Sequence, residues 1–145
     1  LTSGQFQPII SEIEPIDPAQ VTRLVFCAGK VYYDLLEARQ ETTLTHLAIV
    51  RIEQLYPFPT QLFKAEIGKY PQVSEVVWCQ EEPKNQGAWY QFKHRFSDAI
   101  PAGITLSYCG RKASAAPAVG HFAEHIKQQK QVVSAALYGN NPEGK

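Results

Sequence analysis

The chain has 145 residues, 44% of them hydrophobic, with 14 basic and 14 acidic side chains and a formal net charge of zero. That size and apolar content suit one domain with its own core. The balanced charge, with no basic stripe and no aromatics interleaved with Lys and Arg, argues against a nucleic-acid binder.

No apolar run approaches the roughly 20 residues needed to cross a bilayer, and Leu1–Pro8 lacks the basic region and apolar stretch of a signal peptide. The chain opens on Leu rather than Met, which fits a processed chain or a piece of a larger protein. Residues 1–20 are rich in Pro, Ser and Glu, and Pro8, Pro15 and Pro18 break any regular period, so this stretch is expected to be an extended linker or arm. A domain is expected over residues 21–145.

Within it, Arg23–Ala28 is a short continuous apolar run ended by Gly29, the pattern of a strand covered on both faces. Lys30 to about Gln40 follows with Val31, Leu35 and Ala38 on one helical face and Leu36 alongside. The alternation then repeats. His46–Arg51 predicts a second strand, and about Thr60 to Tyr70 a second helix with Leu62, Ala65 and Ile67 as its apolar residues. Glu75–Cys79 predicts a third strand, and Gly87 to about Ile100 a helix with Trp89, Phe92, Phe96 and Ile100 on one side. Ile104–Cys109 predicts a fourth strand. About Pro117 to Leu137 predicts a fourth helix with Val119, Phe122, Ile126, Val133 and Leu137 aligned, Pro117 suiting its first turn and Gly139 its stop. Strand and helix alternating four times call for a mostly parallel α/β sheet with helices on both faces.

The three cysteines, Cys27, Cys79 and Cys109, each end an apolar run, and their odd number and wide spacing fit neither a disulfide framework nor a close-paired zinc site. They are expected to be reduced core thiols, as in a cytoplasmic compartment. Ligands in an open parallel sheet gather beyond the carboxyl ends of the strands. Those ends deliver Ala28-Gly29-Lys30, then Arg51 and Glu53, then Gln80-Glu81-Glu82 with Lys84, and last Gly110-Arg111-Lys112. One reading has these charges neutralise one another against a neighbouring domain. The other gathers Lys30, Arg51 and Arg111 with the first helix N-terminus into an anion pocket.

Short catalytic motifs are weak here. Cys27-Ala-Gly29-Lys30 carries too few glycines for a dinucleotide or Walker loop, and no GxSxG elbow occurs. Glu81-Glu82 are adjacent, so nothing places a substrate between them. His121-Phe-Ala-Glu124-His125 matches the H-x-x-E-H form of inverted zinc peptidases, but no third protein ligand follows apart from Glu143 near the tail.

Four longer segments are more specific: Gly29-Lys-Val-Tyr-Tyr-Asp34; Ala48-Ile-Val-Arg-Ile-Glu-Gln-Leu-Tyr-Pro-Phe-Pro59; Val77-Trp-Cys-Gln-Glu-Glu-Pro83 with Asn85-Gln-Gly-Ala-Trp89; and Gly110-Arg111 leading to Ser114-Ala-Ala-Pro-Ala118. In this order and spacing the chain resembles the carboxy-terminal region of the thiamine-diphosphate-dependent, decarboxylating component of 2-oxoglutarate dehydrogenase. The resemblance implies a three-layer α/β/α domain of transketolase carboxy-terminal type. Its usual sheet has five strands of mixed direction, so one strand beyond the four above is expected. It also implies a homodimeric bacterial enzyme of the tricarboxylic acid cycle that binds thiamine diphosphate and magnesium. That enzyme decarboxylates 2-oxoglutarate and succinylates the lipoyl group of the dihydrolipoyl succinyltransferase component. The family's cofactor is held mainly by preceding domains, so no catalytic or cofactor-binding residue, and no metal ligand, is expected in this fragment, which would be structural and inactive alone. Some relatives bind a nucleotide or acetyl-coenzyme A effector near this domain, and Lys30, Arg51 and Arg111 match basic positions that would meet its phosphates. The alternative is thus an α/β module binding an adenine nucleotide or acetyl-coenzyme A.

Overall fold

In the computed structural model, which describes residues 6–111 and 122–139, strand and helix alternate as the apolar runs predict. The strands are β1 (Ile9–Ile10), β2 (Arg23–Cys27), β3 (Leu47–Ile52), β4 (Glu75–Pro83) and β5 (Thr105–Arg111). The helices are α1 (Val31–Gln40), α2 (Thr60–Gly68), α3 (Gly87–Ala99) and α4 (Phe122–Tyr138). They build one five-stranded sheet in the order β1-β3-β2-β4-β5. Four strands run parallel, and β1 pairs antiparallel with β3.

Because side chains alternate across a strand, consecutive apolar residues serve two cores. Leu24, Phe26, Val50, Val76 and Trp78 face Phe63 and Ile67 of α2 and Trp89 and Phe96 of α3. Val25, Cys27, Ile49, Val77, Cys79 and Cys109 face Val31 and Leu35 of α1 and Ala136 and Leu137 of α4. The result is the three-layer α/β/α arrangement that the resemblance implies. Aromatic packing fixes the first core: Phe26 and Phe63 have ring centroids 4.5 Å apart, and Trp78 and Phe96 stack at 4.9 Å. Each such fully buried side chain contributes about 1.5–3 kcal/mol.

Within the Pro-rich stretch Ile9–Ile10 supply the fifth strand and Pro18–Gln20 form a single 3-10 turn. Ile9 pairs with Ile52 and Ile10 with Arg51, and the Pro8 carbonyl accepts from the Glu53 amide at 2.7 Å. Beyond Ile10 a side chain takes over the edge. Glu12 Oε1 accepts the Ile49 amide of β3 at 2.7 Å, and both Glu12 oxygens accept from the Arg39 guanidinium at 2.6 Å.

Two predicted helix faces differ from the structure. In α2 the buried residues are Phe63, Glu66 and Ile67, whereas Leu62 and Ala65 face outward. The charged Glu66 turns inward because the arm brings it a partner: Ser11 Oγ donates to its Oε1 at 2.9 Å, and Lys69 Nζ lies 3.1 Å away. In α4 the core is filled by Val132, Val133, Ala135, Ala136 and Leu137, and Ile126 is exposed. The turn carrying Ile126 lines a groove against α1, where among the described residues no layer covers it. Pro117 and Val119 of the predicted fourth helix lie outside the described residues. Among the described residues no helix is long and apolar enough to cross a membrane.

Candidate functional site

β2 lies between β3 and β4. The chain leaves β2 for α1 on one face and leaves β4 for α3 on the other. The connections after these neighbouring strands therefore diverge, and a crevice at such a reversal is where open α/β sheets take ligands. Gly29, at φ 78°, makes the turn out of β2 that a side chain would strain.

The other lip is organised by Gln80. Its side chain is buried, and its Oε1 accepts from the Trp78 indole N–H at 2.8 Å and from the Trp89 amide at 2.9 Å. Its Nε2 donates toward the carbonyls of Glu82, Pro83 and Gln86 at 2.9–3.0 Å. One amide thus satisfies an otherwise orphaned N–H in the first turn of α3 and the carbonyls of the loop before it. Gly110 belongs to the same construction. A Cβ there would come within 2.9 Å of the Gln80 carbonyl and closer still to the Tyr108 hydroxyl, which donates to the Arg111 carbonyl at 2.7 Å.

The three cations singled out from sequence share one sheet edge and one face. Arg51 is in register with Cys27, Lys30 caps the start of α1 three residues beyond Cys27, and Arg111 follows Cys109 by two residues on β5. They do not converge. Arg51 and Arg111 stand three strand spacings apart, roughly 14 Å. Arg51 forms an ion pair with Glu53, donates to the Tyr33 hydroxyl at 2.7 Å and lies 5.2 and 5.1 Å from the ring centroids of Tyr32 and Tyr33. Arg111 Nη2 donates to Gln129 Oε1 at 3.0 Å, and Gln129 Nε2 donates to Asp34 Oδ2 at 3.0 Å, tying β5 through α4 to α1. Lys30 is exposed. Of these strand-end charges Arg51 and Glu53 pair with each other, and Arg111 is engaged by the neutral Gln129. Lys112 lies outside the described residues.

Tyr33 and Gln129 carry these connections and were not singled out from sequence, and Gln80 was named there only as a strand-end residue. Helical spacing offers one signal, since Gln129 precedes the buried Val133 by four residues and so shares its face. The partners of Gln80 come from a loop geometry that spacing does not reveal.

All three cysteines are free and buried. Burial pushes the Cys27 thiol well up, and the hydrogen bond to Cys109, together with burial, does the same for Cys79. These shifts keep Cys27 and Cys79 as thiols rather than thiolate nucleophiles. Of the H-x-x-E-H motif, His121 lies outside the described residues and His125 lines the groove between α1 and α4. Among the described residues no group of three or more His, Cys, Asp or Glu could hold a metal ion. Among the described residues the donors therefore form no set that fits magnesium.

Comparison with known proteins places this architecture. A family model described as "2-oxoglutarate dehydrogenase C-terminal" matches residues 1–137. The "2-oxoglutarate dehydrogenase E1 component" of Haemophilus influenzae is 56% identical over 137 residues, covering 94% of this chain and 15% of its own length. The proteins of the same name from Coxiella burnetii and Cupriavidus necator are 52% and 46% identical, each over 94% of this chain, covering 15% and 14% of their own lengths. The chain thus spans about one-seventh of the relatives it matches. Among solved structures, a chain of a split-gene transketolase (an inactive beta4 tetramer) matches with a TM-score of 0.62 at 16% identity, over 91% of this chain and 41% of its own, a likeness of fold. This chain belongs to the 2-oxoglutarate dehydrogenase C-terminal family.

Proposed function

We propose that the chain is the carboxy-terminal domain of a 2-oxoglutarate dehydrogenase E1 enzyme. The complete enzyme, in this reading, is a cytoplasmic, thiamine-diphosphate- and magnesium-dependent homodimer of the tricarboxylic acid cycle. It decarboxylates 2-oxoglutarate and passes the succinyl group to the lipoyl arm of a dihydrolipoyl succinyltransferase. The carrying observation is 56% identity along 94% of this chain, set against 15% of the relative's length. The rest of such an enzyme holds the cofactor, and this domain organises the dimer and backs the site. The strand-end groups suit that division of labour, because Arg51 with Glu53, and Arg111 with Gln129 and Asp34, are engaged as structural ties. The test is reduction of an artificial electron acceptor with 2-oxoglutarate, thiamine diphosphate and magnesium. The isolated chain should show no turnover, and the complete enzyme containing it should turn over 2-oxoglutarate in preference to pyruvate. Turnover by the isolated chain, or preference for another 2-oxo acid, would overturn the reading.

A second reading keeps Lys30, Arg51 and Arg111 as the contacts of a phosphate-bearing effector. It is favoured by one observation: the Nε of Arg111 is buried with no hydrogen-bond partner among the described residues. Calorimetry with adenosine monophosphate and with acetyl-coenzyme A should then show binding that Arg111→Gln removes. No heat from either ligand would dismiss it.

A further inference from the structure

Cys27, Cys79 and Cys109 occupy one row of the sheet. Cys27 is the register partner of Cys79, and Cys79 is the register partner of Cys109 on the next strand. All three enter the core beneath α1 and α4, none more than 2% exposed. Side chains in one row and on one face stand about one strand spacing apart, roughly 4.8 Å. On the β5 side of the row, the Cys109 thiol donates to the Val132 carbonyl of α4 at 3.2 Å and stays beside Cys79. Cys27 leans the other way, its sulfur 3.8 Å from the Val50 carbonyl of β3.

This set offers sulfur alone. It lacks the four ligands zinc requires and the oxygens that calcium or magnesium require. Soft thiolates select soft cations of the copper(I) type. Two collinear metal–sulfur bonds of about 2.3 Å, the zinc–thiolate length, span about 4.6 Å between sulfurs, close to the strand spacing. We infer that Cys79 and Cys109 form a two-coordinate site for a soft, thiophilic d10 cation of the copper(I) class, with Cys27 as an alternate sulfur one strand away.

Binding exchanges two S–H bonds for two metal–sulfur bonds. Both protons pass to solvent, no electron is transferred, and a monovalent ion leaves the pair with one net negative charge. Arg51, in register with Cys27, places a positive charge on the same face. Because binding releases protons, affinity falls as the pH is lowered. Burial restricts entry to moments when the strand ends open, so loading is slow.

The test is anaerobic titration of the full chain with silver(I), a redox-stable stand-in for copper(I), against glutathione as competitor. Native mass spectrometry should show one silver bound with two protons lost, and X-ray absorption should show two sulfur neighbours. Zinc(II) should not load under the same conditions. Cys27→Ala should keep the ion, and Cys79→Ala, which breaks both possible pairs, should lose it. Should Cys79→Ala fail to fold, the double variant Cys27→Ala/Cys109→Ala leaves one thiol and must lose the two-sulfur signature. Silver bound singly at each cysteine, or retained unchanged by a folded Cys79→Ala chain, would overturn the assignment.

Discussion

Glu12 shows how much one side chain can settle. Its carboxylate accepts two bonds from Arg39, one from the Ile49 amide and one from the Glu14 amide, the last at 2.9 Å. Glu12 and Arg39 are only 4% and 6% exposed, so their charges have been taken out of water together. Such a pair adds little net stability over apolar residues of similar volume, but removing one member strands the other. Glu12→Ala leaves a buried guanidinium and an unpaired edge amide, and is expected to cost about 3–5 kcal/mol in urea unfolding. The double variant Glu12→Leu/Arg39→Met removes both charges and should be more stable than Glu12→Ala alone. If the double variant is instead the weaker by the sum of the two single losses, the pair is not the coupled unit described here.

At the scale of elements, what could be read from sequence tracks where the deciding interactions lie. Continuous apolar runs such as Leu24–Cys27 and Leu47–Val50 declare doubly covered strands by themselves, because both cores draw on the same short segment. The face of α2 does not declare itself. Leu62, Phe63, Ala65 and Ile67 are all apolar by composition, yet the buried stripe is Phe63, Glu66 and Ile67, with Glu66 accepting a hydrogen bond from Ser11, 55 residues earlier. β4 extends through Pro83 past the predicted Cys79 for a related reason: Gln80 is polar by type but buried, with its whole amide satisfied by Trp78, Trp89 and the following loop. The candidate site follows the same rule. The edge bearing Lys30, Arg51 and Arg111 follows from strand order and could be named in advance. The ties from Arg111 through Gln129 to Asp34 join β5, α4 and α1 across as many as 95 residues, and no local pattern encodes them.

At the scale of the whole molecule, the arm decides whether β3 presents an exposed edge. β3 would be an outermost strand without β1, and an unpaired edge is a template for pairing with another chain. Ile9 and Ile10 cover its carboxyl half, Glu12 caps its middle, and the Ser11 hydroxyl ties the arm to Glu66 on the opposite layer. Two layers that share no direct sequence link are thereby clasped by four consecutive residues. Deleting residues 1–14 removes the clasp as a unit, so the loss should exceed the about 3–5 kcal/mol expected from a stranded buried charge alone. The freed β3 edge should also drive association. Sedimentation velocity is expected to show the full chain sedimenting more uniformly than the truncated one, whose oligomers grow with concentration. A synthetic peptide spanning residues 6–16, added in trans, should restore both the melting temperature and the sedimentation profile, because its contacts are supplied by side chains and backbone rather than by chain connectivity. A truncated chain that melts with the full one and stays uniform at every concentration would show that β1 and Glu12 decorate the edge without holding it.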